Sequence, residues 1–136
     1  MKNNELLQLA VSAGNKAYAP YSGFKVGAAL LCKDGDVFCG CNVENASFGV
    51  TCCAERTALL KAVSEGKREF SKIAVVGGKG NDLSAPCPPC GICRQALSEF
   101  CGDDFEIITV KDRESISVYR LSQLLPVSFK SNNIEG

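Results

Sequence analysis

The sequence predicts an α/β fold: a three-layer α/β/α arrangement on a five-stranded mixed sheet. Three observations carry this expectation. Strand-like and helix-like stretches alternate along 136 residues, a length that suits one core and one domain, 1–136. The run Val26-Gly27-Ala28-Ala29-Leu30-Leu31 is apolar without a break, as in a strand covered on both faces. Gly66 and Gly102 stand just past two helix-like stretches, where a terminating glycine belongs.

The elements follow in order. Residues 3–18 read as a helix, with Leu6, Leu7, Ala10, Val11, Gly14 and Ala17 at helical spacing, Asn3 or Asn4 as its cap and Pro20 as its stop. Pro20-Tyr21-Ser22-Gly23-Phe24 is a loop by its turn chemistry. Val26 to Cys32 and Asp36 to Cys41 are strands joined by the hairpin Lys33-Asp34-Gly35. Asn42 to Thr51 is polar and irregular. Ala54 to Glu65 is a helix, and Lys72 to Gly77 a buried strand. Gly78 to Pro89 is a loop, and Gly91 to Cys101 a second long helix. Phe105 to Val110 and Ser115 to Tyr119 are strands about the turn Lys111-Asp112-Arg113-Glu114. Leu121 to Leu125 is a helical turn stopped by Pro126. Residues 128–136 form a tail, with 131–136 loose.

Composition narrows the class. Hydrophobic residues make up 46% and charged residues 22%, as in soluble globular chains. The formal net charge is zero, so no electrostatic footprint points to nucleic acid or a membrane. No secretory leader or membrane-spanning run is read. Nine cysteines are an odd number, which argues against a disulfide framework. The expected setting is a reducing cytoplasm, with a few metal ligands and several packing thiols such as Cys32, Cys39 and Cys41. Histidine is absent. Acid–base work therefore falls to a carboxylate, and metal work to sulfur.

The chemistry gathers in two stretches, Thr51-Cys52-Cys53-Ala54-Glu55-Arg56 and Pro89-Cys90-Gly91-Ile92-Cys93-Arg94-Gln95. Together they spell Cys-x-Glu followed by Pro-Cys-x-x-Cys, the zinc deaminase pattern in a three-cysteine form. Cys53, Cys90 and Cys93 can hold one Zn²⁺ and leave a fourth position for water. Each stands at a helix start, where unpaired N–H groups favour thiolate. Arg56 and Arg94, each near a ligand, can offset part of the thiolate charge. Glu55 stands two residues past a ligand and is the candidate proton carrier. Its plainer role is a first-turn helix acid. A closed structural Cys₄ site using Cys87, with Cys53 or Cys52, is the competing metal reading. Pro88 and Pro89 keep Cys87 out of the helix that orients the other two, and a closed site leaves Glu55 without a task.

With these motifs in hand, the chain resembles the small homotetrameric cytidine deaminases of pyrimidine salvage. The likeness runs through Ala17–Leu30, Gly40–Ala46, Cys53–Ala58 and Pro89–Gln95, and thinly to Leu124–Pro126 and Phe129. It implies hydrolytic deamination of cytidine and deoxycytidine, with one zinc on Cys53, Cys90 and Cys93 and Glu55 as the shuttle. Phe24 would pack on the base, where a plain core aromatic is the alternative. Asn42 and Glu44 would bind the ribose 3′-hydroxyl; alone they read as a turn Asn and a solvated Glu. The Ala54 N–H would hold the ring carbonyl, and Arg56 would hydrogen-bond the ligand sulfurs. Phe48 and Phe129, large aromatics in irregular segments, would complete sites across subunits of a homotetramer.

Two departures from the family pattern stand out. Pro88 replaces a small hydroxyl residue but keeps its carbonyl. Phe48 replaces a tyrosine and lacks its hydroxyl. The rivals are a deaminase of a modified cytosine nucleoside, as in the blasticidin-type enzymes, and a nucleic-acid-editing deaminase. The second lacks a basic stripe or aromatic platform here.

Overall fold

The computed structural model describes residues 1–135. The elements are α1 (Asn3–Gly14), β1 (Phe24–Cys32), β2 (Val37–Cys41), α2 (Ala54–Ser64), β3 (Phe70–Lys79), α3 (Gly91–Phe100), β4 (Glu106–Asp112), β5 (Ser115–Arg120), α4 (Leu121–Leu124) and α5 (Ser131–Glu135), with a short 3-10 turn at Phe48–Val50. The sheet order is β2-β1-β3-β4-β5. All neighbours are antiparallel except β3 and β4, which are parallel and joined through α3. This is the expected five-stranded mixed sheet.

Strand periodicity divides the core into two layers. Ala28, Leu30, Ile73, Val75 and Ile107 face one side and pack with Ala54, Ala58, Leu59 and Ala62 of α2 and Leu97 of α3. Their neighbours Ala29, Leu31, Ala74, Val76 and Ile108 face the other side and pack with Leu6, Leu7 and Ala10 of α1. The unbroken apolar text of β1 thus reflects burial on both faces.

Several boundaries differ from the sequence expectation. α1 ends at Gly14, four residues short of the expected end at Tyr18. The Tyr18 N–H is drawn instead to the Asn42 carbonyl at 3.0 Å, and the Tyr18 carbonyl accepts from the Glu44 N–H at 2.8 Å. Pro20 therefore follows a chain that has already left the helix. The cap is also not Asn3 or Asn4. Lys2 holds the N-cap position, and its backbone N–H donates to Glu5 Oε1 at 3.1 Å. β3 is longer than expected at both ends, because Phe70 and Lys79 still pair with Cys32 and Phe24 of β1.

The tail is not loose through 131–135: Ser131–Glu135 forms a helical turn. Asn133 Oδ1 accepts the Lys130 N–H at 2.8 Å and closes its start. The last expected tail residue, Gly136, lies outside the described residues. Gly35 and Gly66 take φ of 99° and 93°, as the hairpin and the α2 terminator require.

Candidate active site

Two helix starts meet on one face of the sheet. Cys53 is the N-cap of α2 and Cys90 the N-cap of α3, both with extended backbone. Cys93 follows in the first turn of α3 and is fully buried. α2 reaches this position because β2 offers it Gly40. A Cβ there would lie 2.6 Å from the Ala58 nitrogen and 2.7 Å from the Ala54 carbonyl oxygen, so the helix rests directly on the strand backbone.

The three sulfurs form one group. Cys53 and Cys90 Sγ are 3.7 Å apart, Cys90 and Cys93 Sγ 3.4 Å, and all three lie within 4.8 Å of one another. Thiolates at about 2.3 Å from a tetrahedral zinc stand about 3.8 Å from each other. The donor set therefore fits zinc in type and spacing. Among the described residues this is the one such group, and neither Cys87 nor Cys52 belongs to it. The Cys87 Sγ covers Gly77, beside the Phe24 ring. Burial pushes its thiol up to about 12, so it stays protonated. Cys52 Sγ instead meets the Thr57 hydroxyl at 3.5 Å.

Electrostatics favour a thiolate in the group. A hydrogen bond from Cys93, then the Arg56 guanidinium, lower the Cys53 thiol to about 5. Cys93, as the donor, is held well above its ordinary value. A metal entering the group displaces the remaining protons. Arg56 Nη2 lies 3.7 Å from Cys53 Sγ and donates to the Thr51 carbonyl at 3.2 Å. Arg94, expected to share this duty, does not. Its guanidinium donates to the carbonyls of Pro89 and Leu124, each at 2.7 Å. Those carbonyls outcompete weakly accepting sulfur for its fork of donors.

Glu55 sits on the first turn of α2 and is only 4% exposed. Burial, above all, raises its carboxyl from the ordinary range. A first-turn acid serving only the helix would face water, and this one faces the sulfurs.

The remaining predicted residues fall into two places. Phe24 opens β1 and is half-buried. Asn42 is buried and ties that strand's start: its Nδ2 donates to the Phe24 carbonyl at 2.9 Å, and its Oδ1 accepts from the Val26 N–H at 2.8 Å. Glu44 is not a free solvated acid. It accepts the N–H groups of Tyr21 and Ser22 at 3.0 and 3.1 Å and the Ser22 hydroxyl at 2.5 Å. That hydroxyl, first among these donors, holds the carboxyl below its usual range. Phe48 stands edge-on to Tyr21 with ring centroids 6.0 Å apart. Tyr21, Ser22, Glu44, Phe48 and Thr51 line a cavity of about 340 Å³. Ala54 is buried at the first position of α2, where its N–H has no helical acceptor.

Phe129 is not brought to this cavity within one chain. It lies along the end of α3 with Ser98, Glu99, Phe100 and Cys101. Sequence reasoning missed Ser22 and Thr51, which orient Glu44 and Arg56. Ser22 carried only a turn signal, and Thr51 acts through its backbone carbonyl, which no side-chain pattern reveals.

Comparison with known proteins agrees with this geometry. A cytidine deaminase from Halalkalibacterium halodurans is 47% identical over 134 residues, covering 98% of each chain. The crystal structure of a cytidine deaminase from Burkholderia pseudomallei superposes with a TM-score of 0.86 at 47% identity, covering 95% of this chain and all of the other. A blasticidin-S deaminase of Bacillus cereus is more distant, at 30% identity over 132 residues, 93% of each chain. Residues 1–109 match the family model described as the cytidine and deoxycytidylate deaminase zinc-binding region. The chain therefore belongs to the cytidine and deoxycytidylate deaminase family.

Proposed function

We propose that this chain is a zinc-dependent cytidine deaminase that hydrolyses cytidine and deoxycytidine to uridine and deoxyuridine and releases ammonia. The observation that carries the reading is the group of three sulfurs beside a buried carboxyl, at two converging helix starts. Residues 1–136 act as one deaminase domain. Cys53, Cys90 and Cys93 hold one zinc per chain. Zinc so held supplies Lewis acidity that brings water toward ionisation near neutral pH.

The chain's own groups do the rest. Glu55 accepts a proton from the attacking water and passes it to the ring nitrogen beside C4. It then moves the second proton to the amino group. The C4–O bond forms, the C4–N bond breaks, and ammonia leaves. A carboxyl with raised proton affinity suits both transfers. Arg56 steadies the thiolate charge through Cys53. The Ala54 N–H, unclaimed by its helix, donates to the ring carbonyl, and Phe24 packs on the base.

Asn42 and Glu44 read the sugar. Each keeps acceptor capacity beyond its bonds to the loop, and Asn42 one N–H as well. Phe48 borders the same cavity. Phe129 serves a neighbour in a homotetramer with shared sites; its separation from the Glu44 cavity and its exposure support this reading. The place of action is the cytoplasm and the role pyrimidine salvage, with no nucleic-acid or membrane partner. Among the described residues no helix is long and apolar enough to cross a membrane.

The test is loss of cytidine absorbance with zinc-loaded protein. Glu55→Gln should lower kcat by about 10²–10⁴ while zinc stays bound. Near-normal turnover would remove Glu55 from the mechanism.

A further inference from the structure

The two residues after Cys93 turn their side chains toward the C-terminal segment. Arg94 Nε donates to the Pro89 carbonyl, directly before Cys90, and Arg94 Nη1 donates to the Leu124 carbonyl, each at 2.7 Å. Gln95 Nε2 donates to the Phe129 carbonyl at 2.9 Å. Between those two C-terminal acceptors stands Val127, with φ of 50°. A β-branched residue is strained there and persists only when its surroundings fix it. Packing does not fix Val127, which is fully exposed. The held carbonyls of Leu124 and Phe129 stand on either side of it.

We infer that Arg94 and Gln95 are positioning residues that clamp the C-terminal segment to the metal-binding turn, so that one opening event frees both. The inference rests on the ligand set proposed above. Cys90 is the exposed member of that set. A bound metal leaves such a site when the turn opens locally. The Arg94 fork holds the residue before Cys90 to the end of α4, and Gln95 holds the segment beyond. Loosening the segment should therefore loosen the turn, although the segment contributes no ligand.

The test follows two rates on zinc-loaded, full-length protein at a temperature well below unfolding. One is zinc transfer to an excess of the chelating dye pyridylazoresorcinol. The other is deuterium uptake by residues 124–130. Gln95→Ala removes one neutral hydrogen bond and touches no ligand; both rates should rise together, by roughly 2–10-fold. Arg94→Ala removes a charged donor and should raise both by roughly 10–100-fold. Arg94→Lys keeps the charge without the fork and should fall between. Faster uptake in Gln95→Ala with zinc transfer at the wild-type rate would overturn the clamp, as would no change in either. If Arg94→Ala does not fold, Gln95→Ala, at an exposed position, decides alone. A wild-type chain that takes up no zinc would overturn the ligand set first, and the clamp's hold on the metal with it.

Discussion

Gly40→Ala tests how the strand places the chemistry. The added Cβ would lie 2.6 Å from the Ala58 nitrogen, 2.7 Å from the Ala54 carbonyl oxygen and 2.9 Å from Thr57 Cβ. Comfortable contact begins near 3.4–3.5 Å, so α2 must withdraw by about 0.8 Å. No rotamer change relieves the clash, because the obstacles are backbone atoms and a Cβ. Overpacking of this kind costs about 1–3 kcal/mol, which in a chain of this length lowers Tm by several degrees. Cys53 and Glu55 ride on the displaced turn, while Cys90 and Cys93 stay with α3. A displacement approaching 1 Å at a reacting centre costs on the order of 10² in rate. Calorimetry, zinc content and cytidine turnover should be measured together. The expected result is a lower Tm, weaker zinc binding and kcat down by about 10²-fold. A lowered Tm with wild-type kcat would refute the idea that β2 sets the position of Glu55.

Further predictions address the ligands, the sugar and the assembly. Cys87→Ala should keep its zinc and Cys90→Ala should lose it, by metal analysis after dialysis; equal loss would return Cys87 to the ligand set. Free cytosine and 3′-deoxycytidine should be poor substrates, since a pocket built to bond a hydroxyl rejects analogues lacking it. Comparable kcat/KM for cytosine and cytidine would assign Asn42 and Glu44 another task. Truncation after Pro126 should weaken assembly and raise KM together; a fully active 14.4 kDa monomer by light scattering would rule out shared sites.

The sequence made the strands and the sulfur group readable because local patterns encode them. The text of β1 alternates between two buried faces. Spacing marks Cys53, Cys90 and Cys93 at two helix starts but leaves Cys87 and Cys52 as rivals, which the deaminase pattern and the clustering of the three sulfurs set aside. The end of α1 was not readable. Ala17 and Tyr18 continue its apolar rhythm, yet the partner that draws Tyr18 away, Asn42, stands far along the chain. Arg94 misled for a related reason. Its nearness to Cys93 suggested charge balance, but its acceptors are backbone carbonyls up to 30 residues away. Glu44 likewise looks solvated until the loop at Tyr21 and Ser22 folds over it.

The parallel pairing of β3 with β4 bears on when the metal arrives. β1–β2 and β4–β5 are neighbours in the chain and close as hairpins. β3 must slot between them, and such non-local pairing is the slow part of folding. Cys53 precedes β3 and Cys90 follows it, so the sulfurs meet only after that insertion. During synthesis, a nascent chain that has not reached residue 90 carries one of the three sulfurs. A metal held by all three sulfurs together must therefore wait for the ribosome's passage through α3 and the completion of the sheet.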